Sequence, residues 1–424
     1  MAATQRIAAG VALAAACAAA LAGCALGSTG SEEGAHGAKK AAAGPPAPQG
    51  AVHLIGDGST AYTGAQPHLP GPEKLKRGQK PPQFVVFSWD GAGEDSQKLF
   101  SHFRKVAKAN RATMTYFLSG VYLLPEAKRD LYRPPEHLPG TSEIGFNDDE
   151  GIKNTLRQLR GAWLEGNEIG THFNGHFCGP GGGVGEWSVE DWKSEIAQAK
   201  SFVKSWRTNT GMKSAPSLPF DYDKELIGGR TPCLEGRKNF VKAARQLGFR
   251  YDTSGVDNQV WPKKQGNLWD LSMQLVPFAG HSGEQLTTDY NFRVNQSGTQ
   301  AQGDPAKRKT WGNQVRDSLL KGFRRAYYGN RAPLIIGNHF ESWNGGTYMR
   351  ALDQVIANVC NKPGVRCVSF RRLADWLDAQ DPATLDKLRG LNVGEAPKQG
   401  WASFLSGRPA PAPKGAPGAP AVRP

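Results

Sequence analysis

The chain has 424 residues, 39% of them hydrophobic and 9% aromatic, and 52 Lys and Arg against 38 Asp and Glu give it a formal charge of +14. That is enough apolar content for one large domain or two and excludes a disordered chain, while six cysteines, 52 Gly and 29 Pro exclude a cysteine scaffold or a collagen-like repeat. The positive balance fits either a solvated basic surface or contact with anionic wall polymer, anionic lipid or nucleic acid.

Met1 to Gly23 holds one basic residue, Arg6, and then an alanine-rich apolar run from Ile7 to Leu21 with no acid. This is the layout of a signal peptide over residues 1–23. The run is too short and too rich in alanine for a membrane span, and past Leu26 no 18-residue apolar stretch occurs. Leu21-Ala22-Gly23-Cys24 resembles a bacterial lipobox, whose cysteine takes a diacylglycerol thioether and becomes the first mature residue. The other reading is an ordinary cleavage site with an incidental cysteine. The lipobox implies an exported chain held by lipid on Cys24 at the outer face of the cytoplasmic membrane. With Cys17 removed and Cys24 lipidated, Cys178, Cys233, Cys360 and Cys367 remain, and an even number in an exported chain points to two disulfides. Cys360 and Cys367 bracket a turn-like Asn361-Lys362-Pro363-Gly364, which pairs them and leaves Cys178 with Cys233, one of three possible connectivities.

Residues 24–80, rich in Gly, Ala and Pro, read as a flexible tether, and residues 386–424, ending in Pro/Ala repeats, as a tail. The folded part is then residues 81–385. Phe84–Ser88 reads as a strand and Asp95–Ala109 as a helix with apolar residues at helical spacing. Thr113–Leu118 and Glu168–Thr171 read as strands. Ile152–Glu165 and Ser188–Trp206 read as helices, the second opening with a serine cap and acids. Helix over Asn239–Leu247, strand over Phe249–Asp252, helix over Trp311–Tyr328, strand over Leu334–Gly337, helix over Gly345–Val359, strand over Val365–Val368 and helix over Arg371–Ala379 follow. The alternation predicts an α/β fold with a parallel sheet closing toward a barrel, with its chemistry at the strand C-terminal ends.

Three signals sit at such ends. Phe87-Ser88-Trp89-Asp90-Gly91 puts an acid after the first strand, where a plain turn is the other reading. His172-Phe173-Asn174-Gly175-His176 offers two imidazoles four residues apart that can share a divalent ion, with a carboxylate from elsewhere as third ligand. Ile335-Ile336-Gly337-Asn338-His339 delivers a histidine at the end of an apolar strand.

In this order the signals resemble the motifs of the polysaccharide deacetylases, the NodB-homology carbohydrate esterases of family 4, over about Pro82 to Leu377. Ser88-Trp89-Asp90-Gly91 is similar to a shortened Thr-Phe-Asp-Asp-Gly, and His172 and His176 match His-x-x-x-His. Arg230-Thr231-Pro232 matches Arg-x-Pro. Asp257 and Trp261 resemble an Asp with a Trp four residues on, although the second acid of that motif falls on Val260. His339 matches the closing strand-end histidine.

The resemblance implies a distorted (β/α) barrel of the polysaccharide deacetylase type. It further implies a metal-dependent hydrolase, using zinc, that removes acetyl groups, N-acetyl first, from envelope polysaccharide such as peptidoglycan. In it His172 and His176 are metal ligands, His339 is the general acid toward the leaving amine, and Arg230 orients or tunes the base. Trp261 and Trp269 offer flat faces for sugar rings or belong to the core. The expected partners are the acetylated polysaccharide and, through lipid, the membrane, with no nucleic acid and no obligate protein partner. The first motif departs from the family's two adjacent acids. Aligned on the aromatic residue, which we favour, Asp90 is the base and Gly91 stands where a metal-binding acid is expected, leaving water, Glu94 or Asp95 to complete the shell. Aligned on the glycine, Asp90 is the metal ligand and Trp89 stands at the base. A non-catalytic saccharide-binding lipoprotein on the same barrel is therefore the alternative. A third reading is a structural envelope protein whose histidines satisfy buried hydrogen bonds.

Overall fold

Gln83–Asp90, eight residues long and buried throughout, is the central strand of a computed structural model that describes residues 52–406. Its near-continuous apolar and aromatic run, without polar alternation, suits a parallel strand covered on both faces. On one side it pairs with Leu334–His339, in register from Leu334 opposite Val85 to His339 opposite Asp90. On the other side Ser88–Asp90 pair with Thr115–Leu118, and the sheet continues through Glu168–Thr171, Gly228–Gly229, Tyr251–Asp252 and Leu268–Asp270 to an antiparallel Lys264–Gln265. Val365–Cys367 pairs with the first part of the central strand, which makes nine strands in all. The two ends of this sheet do not pair, so it is an open, distorted (β/α) barrel.

Helices at Leu99–Ala109, Asp149–Leu164, Val189–Lys204, Arg237–Gln246, Arg308–Tyr328, Trp343–Val359 and Phe370–Ala379 accompany the strands. Three start on side-chain caps, the last where Ser369 Oγ accepts from the Arg372 N–H. Asp148 accepts from the Gly151 N–H, and Ser188 and Asp191 form a reciprocal capping box. One apolar core joins Trp89, Phe103, Tyr116, Leu156 and Val355, and a second joins Phe84, Tyr251, Trp261, Phe370 and Trp376. Because the strands are parallel, Asp90, His172, Arg230 and His339 all end or follow strands at one rim.

The structure moves both domain boundaries. The tether expected to run to residue 80 is folded from its latter half on: His53–Ile55 and Thr60–Tyr62 form a hairpin. The Ala61 N–H donates to the Leu218 carbonyl at 2.9 Å and Trp206 Nε1 to the Ser59 carbonyl at 2.8 Å, which docks the hairpin and buries Ser59, Thr60 and Ala61. The tail expected from 386 begins inside the helix Pro382–Arg389, whose Leu385 and Leu388 are buried, and Trp401, Phe404 and Leu405 pack on the second core. Pro/Gly-rich composition misled here because a few apolar anchors suffice to dock an otherwise irregular chain. The signal peptide, Cys17, Cys24, the first part of the tether and the Pro/Ala repeats lie outside the described residues. Among the described residues no helix is long and apolar enough to cross a membrane.

Candidate active site

A cleft of about 410 Å³ opens at the rim, lined by Asp90, Glu94, His172, His176, Tyr290, His339 and Trp343 among others. Hollows of about 510 Å³ beside Glu73 and Arg366 and about 700 Å³ beside Asp149 and Met212 lie elsewhere and gather no comparable set of imidazoles and carboxylates.

Asp90 is 7% exposed and receives Arg230 Nη1 on Oδ1 at 2.8 Å. Arg230, 1% exposed, is itself fixed by donating to the Thr253 carbonyl and hydroxyl and lies 5.0 Å over the Phe117 ring. Burial would push the Asp90 carboxyl up, but the guanidinium, aided by His172 and His339, holds it below its ordinary value. Asp90 is thus a buried carboxylate kept ionised at neutral pH.

His172 follows the strand Glu168–Thr171, and its Nδ1 lies 2.8 Å from the Arg230 carbonyl. A carbonyl only accepts, so Nδ1 carries the proton and Nε2 keeps its lone pair. Nε2 is buried and has no hydrogen-bond partner. Burial pushes this imidazole down to about 3, so it is neutral and open to a Lewis acid. His176, whose ring centre is 5.0 Å from that of His172, sits at a left-handed φ of 60° and is also lowered by burial. The imidazole pair fits a divalent cation. The expected trio does not close, however. Among the described residues, the only three His, Cys, Asp or Glu whose ligand atoms lie within 4.8 Å of one another are His176, Cys178 and Cys233. Asp90 turns to Arg230 instead, and Gly91 offers no side chain. Glu94, 8% exposed, accepts from the Ser101 N–H on one oxygen and has no partner on the buried other.

His339 ends its strand with Nδ1 2.8 Å from Asp289 Oδ1, while its backbone N–H donates to Asp289 Oδ2 at 2.8 Å. Asp289, 3% exposed, holds the ring and outweighs the burial that would lower it, so the His339 pKa is raised. The motif reading missed Asp289 and placed its acid at Asp257, which is exposed, receives the Asn258 N–H and does not line the cleft. The available signal was a Thr-Asp pair opening the helix Asp289–Ser297.

Trp261 and Trp269 are not ring platforms. They are 1% and 2% exposed, belong to the second core, and donate Nε1 to the Asn330 carbonyl and to Asp378. A large aromatic next to strand residues is more stable inside that core than at the rim. The aromatics on the cleft are Tyr290 and Trp343, with ring centres 6.3 and 5.3 Å from that of His339. The four described cysteines form two bonds, Cys178 to Cys233 and Cys360 to Cys367.

No family description and no curated protein matches the chain. Among solved structures it is similar to a Mycobacterium smegmatis protein assigned as a polysaccharide deacetylase, at 15% identity and a TM-score of 0.46, over 74% of this chain and 96% of that one. It is also similar to a peptidoglycan N-acetylglucosamine deacetylase at 14% identity and a TM-score of 0.37, over 70% of this chain and 90% of that one. A third similar structure is a family 4 carbohydrate esterase pseudoenzyme from Bacillus anthracis, at 11% identity and a TM-score of 0.37, over 77% of this chain and 73% of that one.

Proposed function

We propose that the chain is a lipid-anchored, exported hydrolase that removes N-acetyl groups from envelope polysaccharide such as peptidoglycan. One observation carries the reading: a buried carboxylate kept ionised by Arg230 and a carboxylate-held histidine end adjacent strands in register at one cleft. A base and an acid set apart in this way by their surroundings are what amide hydrolysis needs. Asp90 takes a proton from the attacking water. His339, whose protonated form Asp289 favours, gives a proton to the leaving nitrogen as the carbon–nitrogen bond breaks, and the products are acetate and a sugar ammonium. Tyr290 and Trp343 offer ring faces to the sugar beside His339. His172 and His176 would hold the divalent cation, zinc by donor type, which supplies polarisation of the carbonyl and of water.

Gly91 favours a second reading, a saccharide-binding protein on the same barrel, because the imidazole pair lacks a protein carboxylate as third ligand. Acetate release from N-acetylated peptidoglycan and chitin oligomers separates the two. With zinc added, the full chain should release acetate and its Asp90→Asn and His339→Ala variants should not. A folded chain that binds these glycans and releases nothing is the binding protein.

A further inference from the structure

Cys178 stands two residues past His176, with its Sγ 3.6 Å from His176 Nδ1, and Cys233 stands three residues past Arg230. The bond between them joins two rim loops across 55 residues of sequence, with Cα atoms 6.1 Å apart. A second link holds the same loops without sulfur: the Gly179 N–H donates to Glu235 Oε2 at 3.0 Å. The His172 imidazole adds a third, through the Arg230 carbonyl at 2.8 Å. Opening the bridge therefore leaves the two sulfurs as neighbours, beside an imidazole whose ligand atom lies within 4.8 Å of both. While bonded, neither sulfur can act as a thiolate.

We propose that the Cys178–Cys233 bridge masks a second cation site, formed by both sulfurs and His176 once the bond is reduced. A dithiol supplies two electrons and two protons, the S–S bond breaks, two thiols form and the dithiol closes to its own disulfide. An entering cation then displaces the two thiol protons to solvent. Two thiolates and one imidazole select a thiophilic tetrahedral ion such as zinc, cadmium or cobalt over magnesium or calcium, and leave a fourth position open. His176 also lines the cleft, so an ion held here takes an imidazole from it. That consequence rests on the proposed function, whereas the site does not.

The test titrates cobalt(II) into the full chain, oxidised or reduced with a water-soluble phosphine, and records sulfur-to-cobalt charge-transfer absorption. The reduced chain should develop the band with one equivalent of metal, and the oxidised chain should not. The Cys178→Ser/Cys233→Ser chain, which keeps every other cysteine, should lack the band. His176→Gln, which keeps both thiols, should weaken cobalt binding by at least about tenfold, and it carries the test if the double variant fails to fold. The proposal is overturned if the reduced chain is folded by circular dichroism and shows no band, or if it unfolds on reduction. It is equally overturned if the double variant shows the same band or His176→Gln the same affinity. None of these readings uses acetate release, so a failed deacetylase assay leaves the result standing.

Discussion

Asp90 and Arg230 form an ion pair 2.8 Å long with 7% and 1% of their side chains exposed. At such burial the pair adds little stability over an apolar substitute, yet removing one partner strands a charge. Arg230→Met should cost about 3–5 kcal/mol in urea unfolding at neutral pH. In an Asp90→Asn background the same substitution should cost markedly less. The penalty should also shrink as pH falls, because an unpaired Asp90, pushed up by burial, takes a proton. Equal costs in the two backgrounds would show that the pair is not coupled.

Gly91 follows Asp90 at a φ of +68°, and a Cβ there would meet Tyr122 Oη at 3.6 Å, ordinary contact. Gly91→Asp should therefore fold at a backbone cost of about 1 kcal/mol, and place a carboxylate near the imidazole pair. Calorimetry should show zinc binding tightened about tenfold or more, with the gain lost in Gly91→Asp/His172→Ala. Unchanged affinity would mean that the third ligand comes from elsewhere in the cleft.

The strand ends were legible because a parallel sheet requires long apolar runs, and the polar residue that breaks each run marks the rim. Asp90, His172 and His339 are found this way. Asp289 was not, since it closes the site from a segment without periodic pattern, and its role depends on facing His339 across 50 residues of sequence. That Trp261 and Trp269 stood open between cleft and core has the same cause. Composition cannot say whether an indole near a strand end points into the cleft or the core, and only packing assigned Trp261 to the core and Trp343 to the cleft.

That assignment predicts opposite behaviour for two similar substitutions. Trp261→Ala should lose about 3–5 kcal/mol of stability, as for other buried aromatics, while the folded fraction keeps its KM for glycan. Trp343→Ala, at a half-buried indole on the edge of the first core, should cost less stability than Trp261→Ala and raise KM, or weaken saccharide binding, several-fold. A Trp261 variant with normal Tm and impaired KM would return that indole to the cleft.

Glu195 gives the pH dependence. It is fully buried beneath the loop that carries both imidazoles, accepts from Tyr132 Oη on both oxygens, and its carbonyl accepts from Asn174 Nδ2. Burial pushes its pKa up from 4.5 to about 7. Between those values the folded chain binds the proton more tightly than the unfolded one, so stability falls as pH rises through this window. The loss is on the order of 3 kcal/mol at about 1.4 kcal/mol per unit. Glu225, also raised to about 7 by burial, adds a slope of the same sign. These two carboxyls pull the unfolding free energy down by several kcal/mol between about pH 5 and pH 7, while the lowered His172 imidazole adds a slope of opposite sign up to its ordinary value, so the share of Glu195 is read as the difference between parent and variant curves. Glu195→Gln, which cannot ionise, should flatten the curve by a good part of its share and be the more stable chain at pH 8. A variant curve parallel to that of the parent would show that Glu195 stays protonated over the range, held by a shift larger than burial here provides.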